Sequence, residues 1–210
     1  MKKEVVLLKK KTGLIVVISA PAGAGKTTLC KRLLQNCPSF ISSVSFTTRA
    51  PRKQEIEGVD YYFVSREDFQ ELIEKGAFIE WAEVHGHLYG TSKEFLEKNI
   101  EAGKDVLLEV DVKGGKKIKE CYPQAILIFI LPPSWEELEK RLYRRGTEDE
   151  KSIKERLARA KEEIKYLPFY DYFIVNDDIN IATRDLLRII ETERHKINRI
   201  PEEEIKKITG

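Results

Sequence analysis

Uninterrupted apolar runs alternate along the chain with stretches whose apolar positions recur every three or four residues. Four of the runs have strand length: Leu14–Ser19 (LIVVIS), Asp105–Asp111 (DVLLEVD), Ala125–Leu131 (AILIFIL) and Tyr172–Val175 (YFIV). Runs without a polar face mark strands covered on both sides. A helix over about Thr27–Asn36 follows the first run. Ser134 and Glu137 form a capping-box pattern that opens a helix over about Trp135–Tyr143. Ile153, Leu157, Ala160 and Ile164 fall on one helical face, and Ile179–Arg194 is amphipathic. This alternation predicts an α/β core, a parallel sheet flanked by helices.

Two regions interrupt it. Residues 40–95 hold short half-polar strands (SVSFTT, YYFV, FIEWAEV) and a helix capped at Ser65, which predicts an inserted lobe. Residues 144–152 (RRGTEDEKS) are charged and contain Gly146, which predicts a mobile flap between two helices.

Composition narrows the function classes. At 210 residues, the chain suits one α/β domain with inserted lobes. No apolar run approaches the roughly 18 residues of a membrane span. A net charge of +2 gives no electrostatic reason to expect nucleic acid as a partner. Cys30, Cys37 and Cys121 are scattered and odd in number, which fits a reducing cytosol better than a disulfide framework. The basic start, MKKEVVLLKKK, lacks the apolar centre and cleavage site of a secretory signal. His85 and His87 have no matching cluster of metal ligands in the sequence.

The chemistry begins directly after the first apolar run. Ala20-Pro21-Ala22-Gly23-Ala24-Gly25-Lys26-Thr27-Thr28 matches the phosphate-binding loop except that Ala20 replaces its opening glycine. Strand, loop and helix follow in the required order, so backbone N–H groups and the helix dipole can face an anion. Lys26 would reach the β- and γ-phosphates of a nucleotide, and the Thr27 hydroxyl would ligate Mg²⁺. Ala at a left-handed position would cost about 1 kcal/mol or more. The expectation is therefore negative φ at Ala20, with Gly23 and Gly25 placing backbone against phosphate. Downstream, Arg49 and Arg52 with Tyr61, Tyr62 and Tyr89 supply forked guanidiniums and hydroxyls suited to a phosphate monoester.

TTRAPR, GVDYYFV, FIEWAEV, YGTS, RGTEDE and IVNDD stand in the order and at the spacing found in guanylate kinases. The chain resembles that family over about residues 14–195. The resemblance implies a P-loop core (14–39, 96–143 and 157–195), a GMP-binding lobe (40–95) and a lid (144–156). A basic extension (1–13) and a C-terminal tail (196–210) flank them. It implies ATP and GMP, and dGMP as well, as partners, Mg²⁺ with ATP, and a cytoplasmic setting without nucleic acid or membrane.

By that resemblance, Arg49, Arg52, Tyr61 and Tyr89 hold the GMP phosphate, while Ser45, Glu80, Thr91 and Asp111 face guanine. Arg141, Arg145 and Arg156 are lid arginines that act in catalysis with Lys26 and Arg49, and Asn176 lies near adenine. Glu109 would contact the metal indirectly; the family commonly has Asp there, and often Ser at Ala22. Guanine chemistry agrees: N1–H and the 2-amino group are adjacent donors that one carboxylate can accept. Adenine would leave that carboxylate unpaired. Two rivals fit less well. A binding module of this type typically loses the loop, which is intact here at Gly25-Lys26-Thr27. A kinase for AMP or UMP does not account for Glu80, Ser45 and Thr91.

Overall fold

The computed structural model describes residues 12–84, 86–144, 150–200 and 202–209. In chain order, the first half holds β1 (Ile15–Ser19), α1 (Lys26–Asn36), β2 (Phe40–Ser42), β3 (Ser45–Thr47), β4 (Tyr61–Phe63), α2 (Arg66–Glu74), β5 (Phe78–Val84) and β6 (His87–Ser92). The second half holds α3 (Lys93–Glu101), β7 (Asp105–Glu109), α4 (Val112–Cys121), β8 (Ile126–Leu131), α5 (Trp135–Arg144), α6 (Glu150–Ile164), β9 (Tyr172–Val175), α7 (Ile179–Arg194) and α8 (Glu202–Thr209).

β1 is buried at every position and lies at the centre of a parallel sheet ordered β2-β7-β1-β8-β9. Its two faces feed separate cores. Val16 and Ile18 pack with Leu29, Leu33, Leu186 and Ile190 of α1 and α7. Ile15 and Val17 pack with Leu96, Ile100 and Ile118 of α3 and α4. Each such branched side chain contributes roughly 1.5–3 kcal/mol on full burial, which is why no polar residue interrupts the run. The helix starts are capped as their sequences demand: Asp68 N–H donates to Ser65 Oγ, and Gly114 N–H donates to Asp111 Oδ1.

The second sheet is ordered β4-β3-β6-β5 and carries the inserted lobe. β2 falls within the span expected for the lobe, yet it pairs in parallel with β7 as an edge of the core sheet. Three residues with one buried side chain are too short to show a period. α6 begins at Glu150, so the end of the predicted flap and lid is helical. The tail forms α8. No helix among the described residues is long and apolar enough to cross a membrane.

Candidate active site

β1 delivers the chain into the phosphate loop. Ala20 follows the strand and is buried with the α1 and α7 core, so its methyl group fills space that a glycine would leave open. Gly23 and Gly25 each adopt φ 94°, where a side chain is strained, and Gly25 caps α1. α1 itself begins at Lys26, one residue before the predicted start. Leu138 and Leu142 of α5 lie 3.1 Å from where a Cβ on Gly23 would stand, so α5 underlies the loop.

Asn176, at the end of β9, donates from Nδ2 to the Ala24 carbonyl at 2.7 Å and is buried. Its amide thus braces the loop. Arg141 donates to the Asn176 carbonyl at 3.0 Å and pairs with Glu137. Gly25, Thr28, Arg32, Arg141 and Asn176 line one side of an open cavity of about 380 Å³. Gly25→Ala is expected to lower the melting temperature by several degrees and to remove ATP-induced stabilisation in thermal melting. A left-handed Ala costs about 1–2 kcal/mol, and the new Cβ would stand 2.1 Å from Asn176 Nδ2.

Lys26 and Thr27 face the end of β7. Thr27 Oγ1 donates to Glu109 Oε1 at 2.6 Å, and Lys26 Nζ donates to the Val110 carbonyl at 3.1 Å with Glu109 Oε1 4.0 Å away. Glu109 therefore meets the loop through both residues. Arg156 is half-buried on α6, whereas Arg145 lies outside the described residues, as does His85.

The lobe and β7 enclose a second cavity of about 260 Å³. Lys26, Ser45, Tyr61, Glu80, Tyr89 and Asp111 line it. A bulge in β5 between Phe78 and Glu80 sets Glu80 opposite Thr91 of β6, and Thr91 Oγ1 donates to Glu80 Oε1 at 2.5 Å. Burial pushes the Glu80 carboxyl up to about 7, Asp111 adds to the rise, and the Thr91 hydroxyl opposes it. Arg49 stands at the mouth, its Nε 3.3 Å from Tyr89 Oη and its guanidinium 5.5 Å from the Tyr61 ring centre. Arg52 contributes its backbone amide to Glu55, while its side chain is on an exposed turn.

Lys26 lines the 260 Å³ cavity while belonging to the loop, so a phosphate held by the loop and an anion at Arg49 would meet at one amine. The family model described as guanylate kinase matches residues 12–193. The chain belongs to the guanylate kinase family. It is similar to the guanylate kinase of Caldanaerobacter subterraneus subsp. tengcongensis, 48% identical over 190 residues covering 90% of this chain and 92% of that one. The guanylate kinase of Clostridioides difficile is 48% identical over 189 residues, covering 90% and 92%. A crystal structure of guanylate kinase from Anaplasma phagocytophilum superposes with a TM-score of 0.75 at 40% identity, covering 91% of each chain.

Within this guanylate kinase fold, several residues shape the site without standing in a recognised motif. Glu55 bridges Arg49 Nη2 and the Arg52 amide at 2.8 Å each, raising the Arg49 pKa chiefly through that hydrogen bond. Gly114 and Gly115 let α4 approach: a Cβ at Gly114 would stand 2.8 Å from Glu80 Oε2, and one at Gly115 would stand 2.4 Å from Tyr170 Oη. A Gly-Gly pair inside a sequence that forms a helix despite poor propensity was the available signal for them.

Proposed function

We propose that the chain transfers the γ-phosphoryl group of ATP to the phosphate of GMP, and to that of dGMP, giving ADP and the guanine nucleoside diphosphate. The observation that carries this reading is the shared position of Lys26, in the phosphate loop and on the wall of the cavity holding Glu80.

The nucleophile is a phosphate oxygen. With a second pKa of about 6, it is already ionised at neutral pH, so no general base is required. The obstacle is repulsion between two polyanions. Backbone N–H groups from Gly23 to Thr28 and Lys26 take the donor phosphates; Arg49, Tyr61 and Tyr89 take the acceptor phosphate, with Arg52 reaching in from its turn. Glu80 accepts from guanine N1–H and the 2-amino group, and Ser45, Thr91 and Asp111 complete that end. Arg141, Arg145 and Arg156 add positive charge as phosphoryl transfer proceeds. Adenine lies in the cavity beside Asn176, whose amide is committed to the loop, so its contribution there is to hold the wall.

The Thr27 hydroxyl beside the Glu109 carboxylate offers hard oxygen donors of the kind Mg²⁺ prefers. Thr27 would hold the ion directly and Glu109 through water. Bound with ATP, Mg²⁺ supplies charge neutralisation on the triphosphate. The three scattered cysteines and the near-neutral charge support a cytoplasmic setting without nucleic acid or membrane.

With MgATP and GMP, ADP and GDP should form in equal amounts, measured by chromatography of the nucleotides. ADP without GDP would show hydrolysis and refute the transfer.

A further inference from the structure

The steps above leave Glu163 unused, although it is held beside their centre. It lies in the last turn of α6, the helix that carries Arg156. α6 meets α5 through Leu138, Leu142, Ile153 and Ala160, and Ala22 of the phosphate loop packs into the same cluster with Leu157. Glu163 stands nearly one turn beyond Ala160, on the neighbouring stretch of that face. Its carboxylate is near enough to the Ala22 amide, Lys26, Asp111 and Arg159 for each to act on its charge. Its Oε2 is buried and has no hydrogen-bond partner among the described residues. A carboxylate needed only for solubility would not be buried at a loop made to receive anions.

The loop needs support at this point. Gly23 and Gly25 both have left-handed backbone and no side chain to anchor them. Asn176 secures the loop at the Ala24 carbonyl from the β9 side. Ala22 packs on the α6 side, where Glu163 stands, so the two sides bracket Gly23. We propose that Glu163 is a positioning residue for phosphoryl transfer: it ties the root of the helix carrying Arg156 to the front of the phosphate loop, keeping that arginine and Lys26 in register. This rests on the transfer reading above.

Two substitutions separate reach from charge. Glu163→Gln keeps the length and an acceptor oxygen while losing the charge. Glu163→Asp keeps the charge but withdraws it by one methylene. Positioning predicts that E163D raises the KM for ATP about tenfold and lowers kcat by a similar factor, with the KM for GMP within about twofold. E163Q should stay within about twofold of wild type in every constant. Wild-type kinetics in E163D overturns the proposal, as does an E163Q variant impaired as much as E163D.

Amide hydrogen exchange at Ala22 gives a readout that needs no turnover. The amide should be protected in wild type and E163Q and should exchange faster in E163D. A fast-exchanging Ala22 in wild type overturns the tether itself, whereas a wild type that makes no GDP overturns the reaction reading on which it rests.

Discussion

Lys26→Met should lower kcat for GMP phosphorylation by about 10³-fold while moving the melting temperature by no more than a few degrees. The asymmetry follows from where the amine sits. Among the described residues, Lys26 Nζ makes one hydrogen bond, to the Val110 carbonyl, and a long contact with Glu109, and its side chain is 23% exposed. Folding therefore draws little on it. The proposed reaction would draw on it heavily, because Lys26 is the cation of the phosphate loop and also lines the acceptor cavity. Met has nearly the same length and volume, so packing is kept and the charge is removed. Lys26→Arg should not restore the rate: a planar guanidinium cannot replace a compact ammonium between two phosphates. Steady-state kinetics with saturating ATP and GMP, alongside thermal melting, test this. A kcat within tenfold of wild type would remove Lys26 from the transfer step.

Glu80→Gln should lose function and gain stability together. Burial holds the Glu80 pKa up at about 7, from an ordinary value of 4.5. The folded protein thus keeps a proton on Glu80 that the unfolded chain releases. This group's contribution to stability is fullest below about pH 4.5, falls as pH rises to about 7, and is level above. The displacement is worth about 3 kcal/mol. Replacing the carboxylate by a neutral amide should therefore stabilise the free protein at pH 8 by about 1–3 kcal/mol, since the amide oxygen still accepts from Thr91 and the repulsion with Asp111 is gone. In the proposed pose, however, guanine presents two donors to this position, and the amide offers a donor of its own against them. kcat/KM for GMP should fall about 10²-fold or more, with the KM for ATP within about twofold. In wild type, the KM for GMP should rise as pH falls below about 7, and E80Q should lack this dependence. Unchanged GMP kinetics in E80Q would take Glu80 out of base recognition.

The core was legible because its signal is local. β1 and β8 are apolar runs, and five buried residues in β1 leave one interpretation. β9 is a strand as its apolar run implies, but it is not covered on both sides, because it forms the sheet edge and leaves Phe173 and Val175 exposed. α7 matched its amphipathic span at both ends. The phosphate loop was legible through its fixed spacing, and Ala20, in place of the opening glycine, is buried in the core after the strand. β2 escaped because it is short and its partner β7 lies far along the chain. α4 escaped because Gly114 and Gly115 argue against a helix until their closeness to Glu80 and Tyr170 is known.

The site divides the same way. Residues inside dense motifs, such as Arg49, Tyr61, Glu80 and Tyr89, are brought together around one cavity mouth and wall. Residues that act through others left no spacing to read. The Glu55 bridge and the proposed Glu163 tether depend on how a turn folds and how α6 packs, and neither is written in a pattern. IVNDD singles out Asn176, but its amide points to Ala24 O, which no sequence pattern specifies.

The central claim is that this cavity selects guanine as the base of the phosphoryl acceptor. The measurement that tests it most directly is kcat/KM from coupled ADP release with MgATP and each of GMP, dGMP, AMP and UMP. Activity confined to GMP and dGMP, with AMP and UMP at least about 10³-fold poorer, is the predicted result. Comparable turnover of AMP or UMP, or no turnover of GMP, would contradict it.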